Sequence, residues 1–209
     1  MNADRGQVAA LPGSAGVAAV PPTAIADSPL LAHAYSLAEA AHRSQYRATD
    51  GRPFLDHVVE VATLLQTAGF DEDLVAAGLL HDAVERGTLT EEALRSEMRE
   101  EICTLVLTLT EDATIESFDD RKRALREQVA EAGGRAVTVF AADKLSDITG
   151  LRRGIEAFGE RVEDRMDTSV DNMAGHYRES VEMIASSRPG SAFLPALRVQ
   201  LARLDASAD

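Results

Sequence analysis

The chain has 209 residues, enough for one compact domain with flanking segments. Hydrophobic residues make up 45% of it but aromatics only 4%, with no tryptophan, so the expected core is aliphatic and packed helix on helix. A formal net charge of −14 without a basic stripe argues against non-specific binding to a nucleic-acid polymer, which depends on Lys and Arg neutralising phosphates. The single cysteine, Cys103, excludes an internal disulfide and fits a reducing cytosol. No apolar run approaches the ~20 residues that span a bilayer. The first residues carry Asp4 and Arg5 without a sustained apolar stretch, so neither a membrane segment nor a signal peptide is expected, and a cytoplasmic protein is.

Residues 1–28 are rich in Ala, Gly and Pro and read as a disordered tail. Leu30, Leu31, Ala34, Leu37, Ala38 and Ala41 then step at helical spacing, predicting a first helix from Pro29 to about Tyr46. A polar loop over 48–53 precedes a second helix from Leu55 to Ala68, closed by Gly69, and Asp71 opens a third. Thr88 and Glu91 have the spacing of a capping box, and a helical pattern continues through Leu109. An acidic loop follows over 110–120, then a charged helix over 119–132 that reads as a solvated face. The remaining expected helices are an apolar one over 137–151, interrupted by Asp143, Lys144 and Asp147, a long one through Met166 to Ile184, and a last one over 193–204. No stretch alternates as a strand does. The fold class is all-α, a bundle of roughly eight to ten helices with a domain over 29–187 and a C-terminal helix and tail over 188–209.

Chemistry concentrates in Gly78-Leu79-Leu80-His81-Asp82-Ala83-Val84-Glu85, which reads as part of a buried helix. One turn separates His81 from Glu85, so they share a face. Burying an imidazole and two carboxylates is costly unless a partner neutralises them, and a divalent cation is a natural one. His57 and Asp143 lie on other helices, and Asp143 is flanked by Val139-Phe140-Ala141-Ala142 and Leu145, as expected of a carboxylate aimed inward. The set His57, His81, Asp82 and Asp143 suits Mn²⁺, Fe or Zn²⁺ better than Mg²⁺ or Ca²⁺, which favour all-oxygen shells. An ion held there leaves room for water, the usual nucleophile in metal-assisted hydrolysis of phosphate esters.

The order His, His-Asp, Asp resembles the HD-domain metal-dependent phosphohydrolases. The fuller similarity is to the hydrolase domain of the Rel/Spo alarmone enzymes and their small single-domain relatives, including the metazoan SpoT homologue. It is carried by residues 41–47 (Ala-His-Arg-Ser-Gln-Tyr-Arg), 51–57 (Gly-Arg-Pro-Phe-Leu-Asp-His), 78–85 and 142–145 (Ala-Asp-Lys-Leu), and spans roughly residues 30–185. The resemblance implies an all-α fold, one bound Mn²⁺ and hydrolysis of the 3′-pyrophosphate of ppGpp or pppGpp. By position, His57, His81, Asp82 and Asp143 match the metal ligands. Glu85 matches the first of an acidic pair beside the metal, with Arg86 in the second place. Arg47 matches a residue near the guanine base. Lys144 matches a basic position and, with Arg43, would meet phosphates; Asp147 and Tyr177 match the region bordering the nucleotide.

Three positions depart from that pattern: Glu85-Arg86 stands for Glu-Asp, Asp147 for an Asn that contacts the nucleotide, and Ala48 for a Lys. The metal set is intact while the substrate shell changes. Two further readings therefore stay open: an HD-type phosphohydrolase acting on another nucleotide, and a module that binds metal or nucleotide without turnover. A homo-oligomer is also open. Among the residues left over, His42 fits either a supporting or a surface role, His33 and His176 have no evident partner, and Cys103 reads as a small core residue.

Overall fold

The structure, a computed structural model, describes Ile25 and residues 27–206; apart from Ile25, Asp27 and Ser28, the expected N-terminal tail lies outside the described residues. The helices are α1 (Pro29–Ala41), α2 (Phe54–Thr67), α3 (Glu72–Leu80), α4 (Glu91–Glu97), α5 (Glu100–Leu109), α6 (Phe118–Ala132), α7 (Gly134–Phe158), α8 (Val170–Ser187) and α9 (Leu194–Asp205), with a 3-10 helix over Gly159–Arg165. Among the described residues there is no strand, only an isolated bridge between Tyr46 and Pro53. None of the described helices is long and apolar enough to cross a membrane.

Several helices start where a short polar side chain captures an unpaired amide. Ser28, Asp71, Thr90, Ser117 and Ser169 accept from Leu31, Leu74, Ala93, Asp120 and Asn172, each such cap contributing about 1 kcal/mol. The cap of α4 is Thr90, not Thr88, because Thr90 holds an extended backbone from which its hydroxyl reaches the Ala93 amide. The expected continuous helix through Leu109 is instead two, since Met98 is extended and α5 restarts after Arg99. Helix α1 ends at Ala41, short of Tyr46: Ser44 takes a left-handed φ of 66°, which cannot continue a right-handed helix.

Helix α3 is the centre of the bundle. Every residue from Leu74 to Leu80 is buried, and α1, α2, α5 and α7 pack around it. Helix α7, 25 residues long, is the second organiser and extends well beyond the predicted 137–151. Its Gly150 and Gly154 let the 47–50 loop lie directly on it: a Cβ at Gly150 would fall 2.4 Å from the Arg47 guanidinium, and one at Gly154 would fall 2.2 Å from the Thr49 carbonyl oxygen. The charged helix α6 is not only a solvated face, because Leu125, Arg126 and Val129 are buried.

Candidate metal centre

The central stretch is not one helix. Regular α3 stops at Leu80, and residues 81–86 continue as turns, with Ala83 N–H donating to the Leu80 carbonyl and Arg86 N–H to that of Asp82. The ring of His81 explains the break: its Nδ1 lies 2.9 Å from the Gly78 carbonyl, the acceptor that an uninterrupted helix would offer to the Asp82 amide. His81 and Asp82 thus stand at the open end of the central helix.

The structure brings the four predicted ligands together. One donor atom each from His57, His81 and Asp143 lie within 4.8 Å of one another. The two Nε2 atoms are 3.2 Å apart. Asp143 Oδ1 is 3.4 Å from Nε2 of His57 and 3.5 Å from that of His81. Asp82 Oδ2 is 3.6 and 3.5 Å from the same two atoms. Both histidines are buried, and Asp82 is the most open of the four at 14% exposure.

The surroundings decide what such a cluster can hold. Nδ1–H of His81 is spent on the Gly78 carbonyl. The Ser146 hydroxyl donates to Glu60 Oε2 at 2.9 Å, so its lone pair faces His57 Nδ1, also at 2.9 Å, and Nδ1 is the donor there. Each neutral imidazole therefore turns a bare Nε2 lone pair inward, toward two carboxylate oxygens. Four lone-pair atoms converging without a proton between them fit a divalent cation, and two nitrogens with two oxygens fit a borderline ion. In metal-free protein a proton takes that place: burial disfavours the imidazolium of His81, but Asp82 and Asp143 outweigh burial and raise it to about 9. Burial likewise opposes ionisation of Asp82 and Asp143. Yet His81 and Arg86 hold Asp82 down to about 2, and Lys144 with the two imidazoles holds Asp143 well below the usual carboxylate range.

Away from the histidines the charges pair internally. Lys144 Nζ lies 2.8 Å from Asp143 Oδ2 and 2.9 Å from Asp147 Oδ2, and Arg47 donates to Asp147 Oδ1 at 3.1 Å. Asp147 is thus held between two buried cations. Arg47 is buried against α7 and also donates to the Ser146 carbonyl at 3.4 Å, while Arg43 is exposed. Tyr177 is buried, its phenol pushed up by burial and by Asp147. Glu85 accepts from the Glu111 amide at 3.1 Å, and burial and then Asp82 raise its carboxyl. Arg86 is half exposed, 3.6 Å from Asp82 and stacked over Phe54.

A groove of about 420 Å³ escaped the sequence reading; its walls mix Lys122, Arg123 and Arg126 with Asp119, Asp171 and Glu179, and His176 lies among them. His176 is buried and partnered, its Nδ1 accepting from Arg126 at 2.8 Å. Burial and the cations Lys144, Lys122 and Arg126 push its imidazole far down, so it stays neutral. Lys122 pairs with Glu111 and Arg126 with Glu179. The only sequence signal was negative: Arg126 and His176 sit on helical faces that also carry buried Leu125, Val129, Tyr177 and Ser180. His33, by contrast, meets Glu97 at the surface, and His42 is buried with its Nδ1 at 2.9 Å from Gln45 Oε1.

An all-helical bundle with this His, His-Asp, Asp centre defines a class, and comparison supplies its name: the chain belongs to the HD domain family, which matches residues 34–156. Among its relatives is the guanosine-3′,5′-bis(diphosphate) 3′-pyrophosphohydrolase MESH1 of Drosophila melanogaster, 33% identical over 114 residues, covering 53% of this chain and 63% of the relative. The chain thus spans a little under two thirds of that relative's length. The Xenopus tropicalis protein of the same name is 30% identical over 130 residues, covering 61% of this chain and 72% of the relative. A solved structure described as a metazoan ortholog of SpoT that hydrolyses ppGpp superposes with a TM-score of 0.68 at 26% identity, covering 87% of this chain and 96% of the other.

Proposed function

We infer that the protein hydrolyses the 3′-pyrophosphate of guanosine alarmones, converting ppGpp or pppGpp to GDP or GTP and pyrophosphate, with Mn²⁺ held by His57, His81, Asp82 and Asp143. The observation that carries this reading is the inward convergence of two imidazole lone pairs and two carboxylates, in a chain whose relatives are named for that reaction. When bound, the ion supplies Lewis acidity toward a phosphoryl oxygen and lowers the pKa of water. Glu85 is the base in this reading: its raised, part-buried carboxyl takes the proton of the water that attacks the phosphorus on O3′. The P–O3′ bond breaks, pyrophosphate leaves, and O3′ collects a proton. Lys144 and Arg47 steady the carboxylates around the site.

A steady-state assay with ppGpp and Mn²⁺, following GDP and pyrophosphate, tests this. Turnover that needs Mn²⁺ and disappears in His81→Ala and Glu85→Ala is the expected result. A protein that keeps its metal and leaves ppGpp intact loses the substrate assignment. A second reading, the same centre with another nucleotide, is favoured by Arg86 and by Asp147, whose carboxylate is committed to Arg47 and Lys144. Restoring the acid with Arg86→Asp separates the two: faster ppGpp hydrolysis marks a drifted alarmone hydrolase, and no change points to the other substrate.

A further inference from the structure

One polar chain starts from Nδ1 of His57, the ring nitrogen that does not face Asp82 and Asp143. Ser146 is 1% exposed on α7, and its hydroxyl reaches His57 on one side and Glu60 on the other, 2.9 Å to each. Glu60, one turn after His57 on α2, is open to water at 30% and receives Arg153 Nη2 at 3.2 Å and Nη1 at 3.5 Å. A serine hydroxyl carries one hydrogen. With that hydrogen committed to the Glu60 carboxylate, Oγ presents only lone pairs to His57, and the imidazole must place its proton on Nδ1. Were the carboxylate absent, the hydroxyl would be free to donate to Nδ1, and the proton of the neutral ring would move to Nε2, the atom that faces Asp82 and Asp143.

We propose that Glu60, acting through Ser146 and held by Arg153, is a positioning residue that sets the tautomer of His57 and thereby readies the centre for a divalent ion. The proposal rests on the metal reading of the site but not on the identity of the nucleotide. His81 has a backbone carbonyl for the same task, which no substitution removes. Only His57 depends on a side-chain relay, so the two ligands differ in how easily they are disabled. Histidine ligands commonly donate their second N–H to a carboxylate or carbonyl; here a serine is interposed and the carboxylate is reachable from solvent.

The test uses Mn²⁺ titrated into metal-stripped full-length protein, with free Mn²⁺ counted by electron paramagnetic resonance and apo stability followed by thermal melting. Glu60→Ala, at a position open to water, is expected to weaken Mn²⁺ by about 10-fold or more. Glu60→Gln, whose amide oxygen still accepts from Ser146, is expected to stay within about threefold of wild type. Ser146→Ala should match Glu60→Ala. Long-range proton–nitrogen correlation spectra of zinc-loaded protein should show His57 protonated at Nδ1 in wild type. Wild-type affinity in Glu60→Ala overturns the proposal, and so does a Glu60→Gln protein as weak as the alanine variant, since charge alone would then explain the loss. A wild type that binds no divalent ion overturns both the relay and the metal reading. Tight Mn²⁺ with no ppGpp turnover overturns only the substrate.

Discussion

The centre around His57 and His81 and the groove around His176 bury the same side chain in opposite fields. Carboxylates surround the first, so its imidazoles attract a cation and, without one, His81 holds a proton up to about 9. Cations surround the second: Arg126 occupies Nδ1 of His176, with Lys122 and Lys144 nearby, and the ring remains neutral. Burial opposes charge at both places, so the sign of the neighbours decides the outcome. The first cluster can accept a cation from outside, whereas the cations beside His176 are already balanced within the fold, Lys122 by Glu111 and Arg126 by Glu179.

The most severe way to break the contrast is His81→Ala. It removes one of two Nε2 donors, and elemental analysis after dialysis should find less than about a tenth of the wild-type metal, since losing a ligand exceeds the 10- to 100-fold cost of losing a ligand's supporting contact. Glu85→Gln should keep its metal but lose about 10²- to 10⁴-fold in kcat, the usual range for a general base; retained activity removes Glu85 from the mechanism. Next comes pH. His81 is raised above its unfolded value, so its contribution to the metal-free fold is complete below about 6.5 and is lost as pH rises through about 9. The melting temperature of metal-free protein should therefore fall across that interval, and added Mn²⁺ should stabilise more at the upper end, where no proton competes. Arg126→Met tests the other half: His176 loses its donor at a cost of about 1–3 kcal/mol, and its pKa should move up in an NMR titration. Smallest is Asp147→Asn, which keeps an acceptor for Arg47 but removes its charge and should cost about 1 kcal/mol in a denaturant melt.

The contrast also marks what could be read from the chain alone. Aliphatic periodicity and capping residues disclosed an all-helical bundle, and the apolar flanks of His81 and Asp143 disclosed their inward aim. What stayed hidden depended on one local side-chain contact and otherwise on contacts between distant segments. A helix through Glu85 looked safe because no Gly or Pro interrupts it, but the imidazole of His81 takes the Gly78 carbonyl and the helix ends at Leu80. Asp147 stood out only as a departure from the family pattern, because its partner Arg47 lies a hundred residues earlier. Glu60 and Ser146 are 86 residues apart and have no local pattern. His176 and Arg126 carried no signal beyond helical spacing, since polar residues on a buried face look like any other interruption of an apolar stripe.

The seating of the 47–50 loop on α7 has a consequence for mutational tolerance. At Gly154 the obstacle to any side chain is the Thr49 carbonyl, which is backbone and cannot swing aside; at Gly150 it is the tip of Arg47, which can. A saturation library scored for folded, soluble protein should return glycine alone at 154. At 150 it should admit alanine and serine, each displacing Arg47 from Asp147 as it does so.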